Sequence, residues 1–168
     1  MLNKLLEDGN TLFRGGKLEE AAYRYEYALK RLPRLATGGG GGANDGRSEE
    51  NDDVFVQLRS HLLLNLSRTC RKQKKYTEAV AAASQVLAFK PDSYEALWAR
   101  GKAKREVGAL DDALIDLREA IQIAPQNMEL HRFTIRVKEE LEASHKTEEV
   151  TVKENDAVET VAEISCLV

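Results

Sequence analysis

Arg68 and Arg71 stand three residues apart, and Lys102 and Arg105 repeat that pair 34 residues further on. A guanidinium pairs a carboxylate through two parallel hydrogen bonds, and several cations in one concavity focus a positive potential. The chemistry on offer is therefore recognition of an anionic chain. Arg132 and Arg136 extend the series. Phe13, Leu64 and Trp98 add apolar area, and the amides of Asn10 and Asn65 can hydrogen-bond a guest's backbone and fix its direction. A large aromatic such as Trp98 is either a contact anchor or a core plug. Catalysis finds little support: His61, His131 and His145 are scattered, with no Ser or Cys partner at a telling spacing and no paired carboxylates. Cys70 and Cys166 lie 96 positions apart with no Cys-x-x-Cys motif, so neither metal nor cofactor nor disulfide is expected, and a reducing compartment is. Nucleic acid is a poor fit for a chain of net charge −3 with no RNA-binding motif.

The elements that must position these side chains follow from an internal period. Pro91 and Pro125 are 34 residues apart, and aligning on them sets Ala79 opposite Ala113, Val86 opposite Ala120 and Ser67 opposite Gly101. Gly9, Ala21, Ala28 and Pro33 give the same series nearer the N-terminus. Small residues recur where two antiparallel helices approach closely, and Pro ends each second helix. This pattern matches the tetratricopeptide repeat, a helix-turn-helix unit that stacks into a solenoid. The fold expected is all-α, a right-handed α-solenoid of three such repeats over 2–35, 54–93 and 94–127, with a capping helix over 128–145. Leu130, Phe133, Val137 and Leu141 give that cap one apolar stripe, and Asn127 is its N-cap.

In such a stack the first helix of each pair lines the concave side, with its second, fifth, ninth and twelfth positions inward. Those positions are Asn3, Leu6, Asn10 and Phe13, then His61, Leu64, Arg68 and Arg71, then Glu95, Trp98, Lys102 and Arg105, with Arg132 and Arg136 added by the cap.

Two segments fall outside the repeat. Residues 36–53, "TGGGGGANDGRSEENDD" in the main, read as a Gly-rich loop inserted between repeats 1 and 2, with Asp52 or Asp53 capping a helix from about Val54 and with an acid-flanked Ser48. Residues 147–168 form an acidic tail of net charge −5 beside a body of +5. Within it 156–168 reads as an amphipathic helix bearing Val158, Val161, Ile164, Leu167 and Val168. This is a ligand-like segment, native or a fused partner peptide, that would dock in the groove of its own chain or of a second one.

No apolar run approaches the ~18 residues of a membrane span, and "MLNKLLEDGN" is acidic where a signal peptide is apolar. A cytoplasmic protein that meets membranes only through partners is expected. The stretches "NLSRTCRKQKKY", "KPDSYEALWARGKAKRE" and "DLREAIQIAPQN" resemble the tetratricopeptide segment of the TANC and rolling pebbles scaffolds, rolling pebbles most. That resemblance implies a non-enzymatic adaptor, part of a longer chain and recruited to cell-contact membrane. Its guest would be an acidic segment such as the cytoplasmic tail of an adhesion receptor, in myoblast fusion or postsynaptic organisation. The alternative is a chaperone adaptor that clamps acidic EEVD-type C-termini. That family's clamp positions read here Leu6, Asn10, Asn65, Glu95 and Ala99, so its two asparagines are kept and its three bases are not.

Overall fold

A computed structural model describes the backbone of residues 1–32 and 49–165, and the side chains of 1–32 and 53–146. The described residues form seven helices and no strand: α1 (Leu2–Arg14), α2 (Leu18–Arg31), α3 (Glu49–Lys72), α4 (Tyr76–Phe89), α5 (Tyr94–Val107), α6 (Leu110–Ile123) and α7 (Met128–Ser165). The helices pack as the hairpins α1/α2, α3/α4 and α5/α6. Successive hairpins stack through α2 on α3 and α4 on α5, while α1 meets α3 and α3 meets α5 to make an inner wall. α7 packs on α6 and closes the end. The architecture is a tetratricopeptide-repeat solenoid. Among the described residues no helix is long and apolar enough to cross a membrane.

The turn inside each hairpin repeats one hydrogen-bond pattern. Lys17, Lys75 and Ala109 donate their N–H groups to the carbonyls of Leu12, Cys70 and Lys104 at 3.0, 2.9 and 3.1 Å. The residue before each, Gly16, Lys74 or Gly108, is left-handed, with φ of 77°, 62° and 86°. This six-to-one closure satisfies the last carbonyls of a helix and favours Gly at the left-handed position. Lys74 is the one copy with a side chain there. At the other helix ends, Ser93 Oγ accepts the Ala96 N–H at 3.3 Å, and Asn127 Oδ1 accepts the Leu130 N–H at 3.1 Å.

Each hairpin closes on a matched pair of volumes. A Cβ on Gly9 would come within 2.5 Å of the Tyr25 ring, and one on Gly101 within 3.0 Å of Leu117 Cγ. The same register sets Ser67 opposite Ala83, so the copy with the larger first residue has the smaller second one. Ser67 spends its hydroxyl on the Ala79 carbonyl at 2.8 Å. Ala21, Ala28, Ala79, Val86, Ala113 and Ala120 are all fully buried, as the repeat spacing requires, and so are Leu130 and Val137 on α7. Asp116 is also buried, held by Arg100 through two hydrogen bonds of 2.7 and 2.8 Å and by Lys104 at 3.0 Å. This clasp joins α5 to α6.

Two boundaries differ from those read in the sequence. α3 begins at Glu49, inside the stretch expected to be loop. Glu49, Glu50, Asp52 and Asp53 put four acids at its N-terminus, where the helix dipole favours negative charge. α7 runs unbroken to Ser165 and does not stop at 145, because the sequence from 126 onward contains neither Gly nor Pro. A helix without a turn over 128–165 has no point at which 147–165 could fold back onto the wall of its own chain. Ser48, the Gly-rich run, Leu167, Val168 and the side chains of Val158, Val161 and Ile164 lie outside the described residues.

The volume pairing and the strained turn yield opposite outcomes for two substitutions. Gly9→Ala gains about 1 kcal/mol of helix propensity. It also presses on a buried ring at a cost of ~1–3 kcal/mol, and should lower the urea midpoint. Lys74→Gly should raise it: about 1–2 kcal/mol of left-handed strain is relieved, offset in part by about 0.5–1 kcal/mol of glycine backbone entropy. In both, an unchanged m-value marks a change in stability with the surface exposed on unfolding unaltered.

Candidate peptide-binding groove

The inner wall carries a cavity of about 460 Å³, lined by Leu6, Asn10, His61, Leu64, Asn65, Arg68, Arg71, Tyr94, Glu95, Trp98, Ala99 and Lys102 among others. A second cavity of about 310 Å³ adjoins it, where Phe13, Arg14 and Tyr25 meet Asn10, Asn65 and Arg68. The helix period thus brings together Asn10, Phe13, Leu64, Asn65, Arg68, Arg71, Trp98 and Lys102. Arg14, Tyr25 and Tyr94 were not singled out by sequence as wall residues, and Ala99 was named only as a clamp position of the alternative reading. Tyr94 and Ala99 follow the same spacing one step from Glu95 and Trp98, and could have been found from it.

Asn10 and Asn65 form one unit. Asn10 Oδ1 accepts hydrogen bonds from Tyr25 Oη at 2.8 Å and from Asn65 Nδ2 at 2.9 Å. With its oxygen filled on both sides, Asn10 holds its Nδ2 donor in a fixed orientation, and Asn65 keeps its Oδ1 acceptor. Neither atom has a partner among the described residues. A donor and an acceptor side by side are what the backbone or terminal carboxylate of an extended peptide can use. Tyr25, which fills the volume opposite Gly9 between α1 and α2, also orients this pair.

The cations differ in how they are compensated. Arg68 has no carboxylate partner among the described residues. Arg71 approaches Glu106 only to 3.8 Å, and Glu106 is shared with Arg105 at 3.7 Å. Lys102 Nζ sits 3.6 Å above the Trp98 ring, with Phe133 at 5.9 Å. Burial, reinforced by the charges of Arg71 and Arg68, pushes the Lys102 ammonium down to about 8, against a smaller opposing pull from Glu129. Trp98 does both of the jobs open to it: it packs on the core cluster of Leu97 and Leu117, and it lines the cavity.

Three other cations stand differently. Arg105 is already engaged in the stack, giving Glu140 of α7 two hydrogen bonds of 2.7 and 2.5 Å, and this pushes the Glu140 carboxyl below the usual range. Arg136 lies 5.5 Å from the Phe133 ring centre and Arg105 lies 5.6 Å from it, so both edge the groove without lining the cavity. Arg132 is exposed and lines neither cavity.

The tetratricopeptide repeat family matches residues 60–93, the second hairpin. The chain is 32% identical over 128 residues to the peptidyl-prolyl cis-trans isomerase FKBP42 of Arabidopsis thaliana, covering 74% of this chain and 32% of that protein. It spans about a third of the length of the curated relatives it matches first. Among solved structures, the C-terminal tetratricopeptide domain of a Plasmodium falciparum FK506-binding protein superposes with TM-score 0.70 at 24% identity, over 86% of this chain and 91% of that one. The first tetratricopeptide domain of Spaghetti (RPAP3), bound to the HSP90 peptide SRMEEVD, gives TM-score 0.63 at 20% identity over 83% and 92%. These matches correct the resemblance to TANC and rolling pebbles scaffolds. The likeness is to tetratricopeptide domains of immunophilins and of RPAP3, and the adhesion-receptor partner and the myoblast-fusion role fall with the earlier reading. The motifs behind it overlap the repeat itself, whose spacing specifies the fold and not a branch of it.

Lys102 supplies a stability test. Its folded value near 8 lies below the ordinary 10.5, so the unfolded chain keeps the proton longer and stability rises with pH between those two values. Lys102→Met should therefore raise the melting temperature at pH 7 by roughly 2–4 °C, equivalent to about 1 kcal/mol. Solvent screening of the incompletely buried ammonium keeps the gain well below the full shift. The advantage should shrink above pH 8 and vanish near 10.5, which thermal melts across that range would show.

Proposed function

We propose that this chain is a non-enzymatic peptide-docking module of the chaperone-adaptor type, whose groove takes the acidic C-terminal segment of a partner protein. The observation that carries the reading is one cavity holding the oriented Asn10–Asn65 amide pair beside Arg68 and Lys102, which have no carboxylate partner among the described residues, and Arg71, which approaches Glu106 only to 3.8 Å. The likeness to a domain bound to an HSP90 peptide ending in EEVD supports the same class of guest. The departures at Leu6, Glu95 and Ala99 bear on which acidic guests fit, not on whether the wall is cationic.

Binding on this reading is a matter of pre-organisation. The helices are formed before the guest arrives, so ordering costs fall mainly on the peptide. Arg68 and Lys102 steer an anion and orient it, while Leu64, Trp98 and Phe13 supply apolar area. A carboxylate beside Lys102 also stabilises the charged ammonium that burial disfavours. The buried free thiol of Cys70, pushed up to about 11 chiefly by burial and then by Glu78, suits a reducing cytoplasm where it stays unreactive.

Fluorescence anisotropy with a labelled SRMEEVD peptide tests the proposal. Saturable binding is expected, weakening severalfold from about 50 to about 200 mM salt. The double variant Arg68→Glu with Lys102→Glu should lose about tenfold or more. Equal binding by that variant would remove the groove from the account.

A further inference from the structure

The inner wall changes character along the helix axes. Four levels, set by the 34-residue register, run across α1, α3 and α5: Asn3, His61 and Glu95; then Leu6, Leu64 and Trp98; then Asn10, Arg68 and Lys102; then Phe13, Arg71 and Arg105. The second level is apolar in all three helices and the third is cationic in two of them. Glu95 on the first level is the one acid lining the larger cavity. It has no cationic partner among the described residues; Ser93 Oγ donates to one of its oxygens at 3.2 Å, and the neighbouring Tyr94 hydroxyl also hydrogen-bonds the carboxylate. The negative field is felt locally, since Glu95 is the first cause of the upward shift of the neighbouring Tyr94 phenol.

Glu95 and Lys102 are seven residues apart on α5, a separation of roughly 10 Å along the axis. A peptide lying across the three helices over the apolar level is wide enough to meet both flanks. Extended chains send successive side chains to opposite sides. One side then reaches the cations and the other reaches Glu95.

Resting on the proposed peptide-docking function, we infer that Glu95 is a specificity-determining residue. It admits guests whose acid is followed or preceded by an uncharged or basic side chain, and it disfavours two consecutive acids. The guest class is an acidic peptide with one apolar anchor on Leu6, Leu64 and Trp98, a carboxylate on Arg68 and Lys102, and a neutral or basic residue on the Glu95 flank. A like charge held against an unpaired carboxylate is repelled, which is how grooves of this kind reject near-cognate partners.

Three peptides, SRMEEVD, SRMKEVD and SRMEKVD, titrated against the full chain decide the matter. With the wild-type protein, the better of the two lysine peptides should bind about fivefold tighter than SRMEEVD. Glu95→Lys should reverse that order, and Glu95→Gln, which keeps the side-chain hydrogen bond to Ser93 available, should abolish the preference. The inference is overturned if SRMEEVD binds the wild type as well as both lysine peptides do, or if the preference persists in Glu95→Gln. Absence of binding by all three peptides, with circular dichroism and melting intact, would instead overturn the docking function itself.

Discussion

The close approach of the two helices in each hairpin is the constraint on which everything else rests. It depends on paired volumes: Gly9 against Tyr25, Gly101 against Leu117, and Ser67 in the register of Ala83. Because each hairpin closes to a similar spacing, α1, α3 and α5 stand side by side with their 34-residue positions level. Without that register the cations of α3 and α5 would point to unrelated places. With it, Arg68 and Lys102 fall on one level of one wall, beside Asn10.

The two faces of α5 show how the fold separates structural from functional charge. On the hairpin face, Arg100 and Lys104 are both paired to the buried Asp116, so their charges are satisfied and hold α5 to α6. On the inner face, Lys102 has an aromatic ring and two arginines for neighbours, and no close carboxylate among the described residues. The first arrangement stabilises the domain as it stands; the second is a cost that an incoming anion can relieve. Arg105 lies between these extremes, inward by spacing yet already satisfied by Glu140. Binding surfaces are commonly less stable than the scaffold beneath them, and α5 carries both conditions within two turns.

Much of this was legible in the sequence because it depends on period. The spacing of Gly9, Ala21 and Ala28 and its two echoes gives the hairpins and their core residues; of the inward positions it names, Asn10, Leu64, Arg68, Arg71, Trp98 and Lys102 line the larger cavity, while Asn3, Arg105, Arg132 and Arg136 line neither. What period could not supply is the partner of each charge. Nothing marks Arg105 as engaged, and Arg68 as without a carboxylate partner among the described residues, until the helices are placed, since Glu140 is 35 residues away from Arg105. The Arg100–Asp116 clasp was missed for the same reason, and so was the role of Tyr25 in orienting Asn10. Helix ends were misjudged where the signal was compositional: an acidic run at 49–53 was read as loop although it also suits a helix N-terminus. The scaffold-family likeness failed because repeat-consensus residues specify a fold and not a partner.

The central claim is that Lys102 is a desolvated cation awaiting an anion. The most direct measurement is the titration of its ammonium by NMR on selectively labelled lysine, in the free protein and with saturating acidic peptide. The account requires a midpoint near 8 when free, moving up by a unit or more when the peptide is bound. An ordinary lysine midpoint in the free protein, or one that does not move on binding, would contradict it.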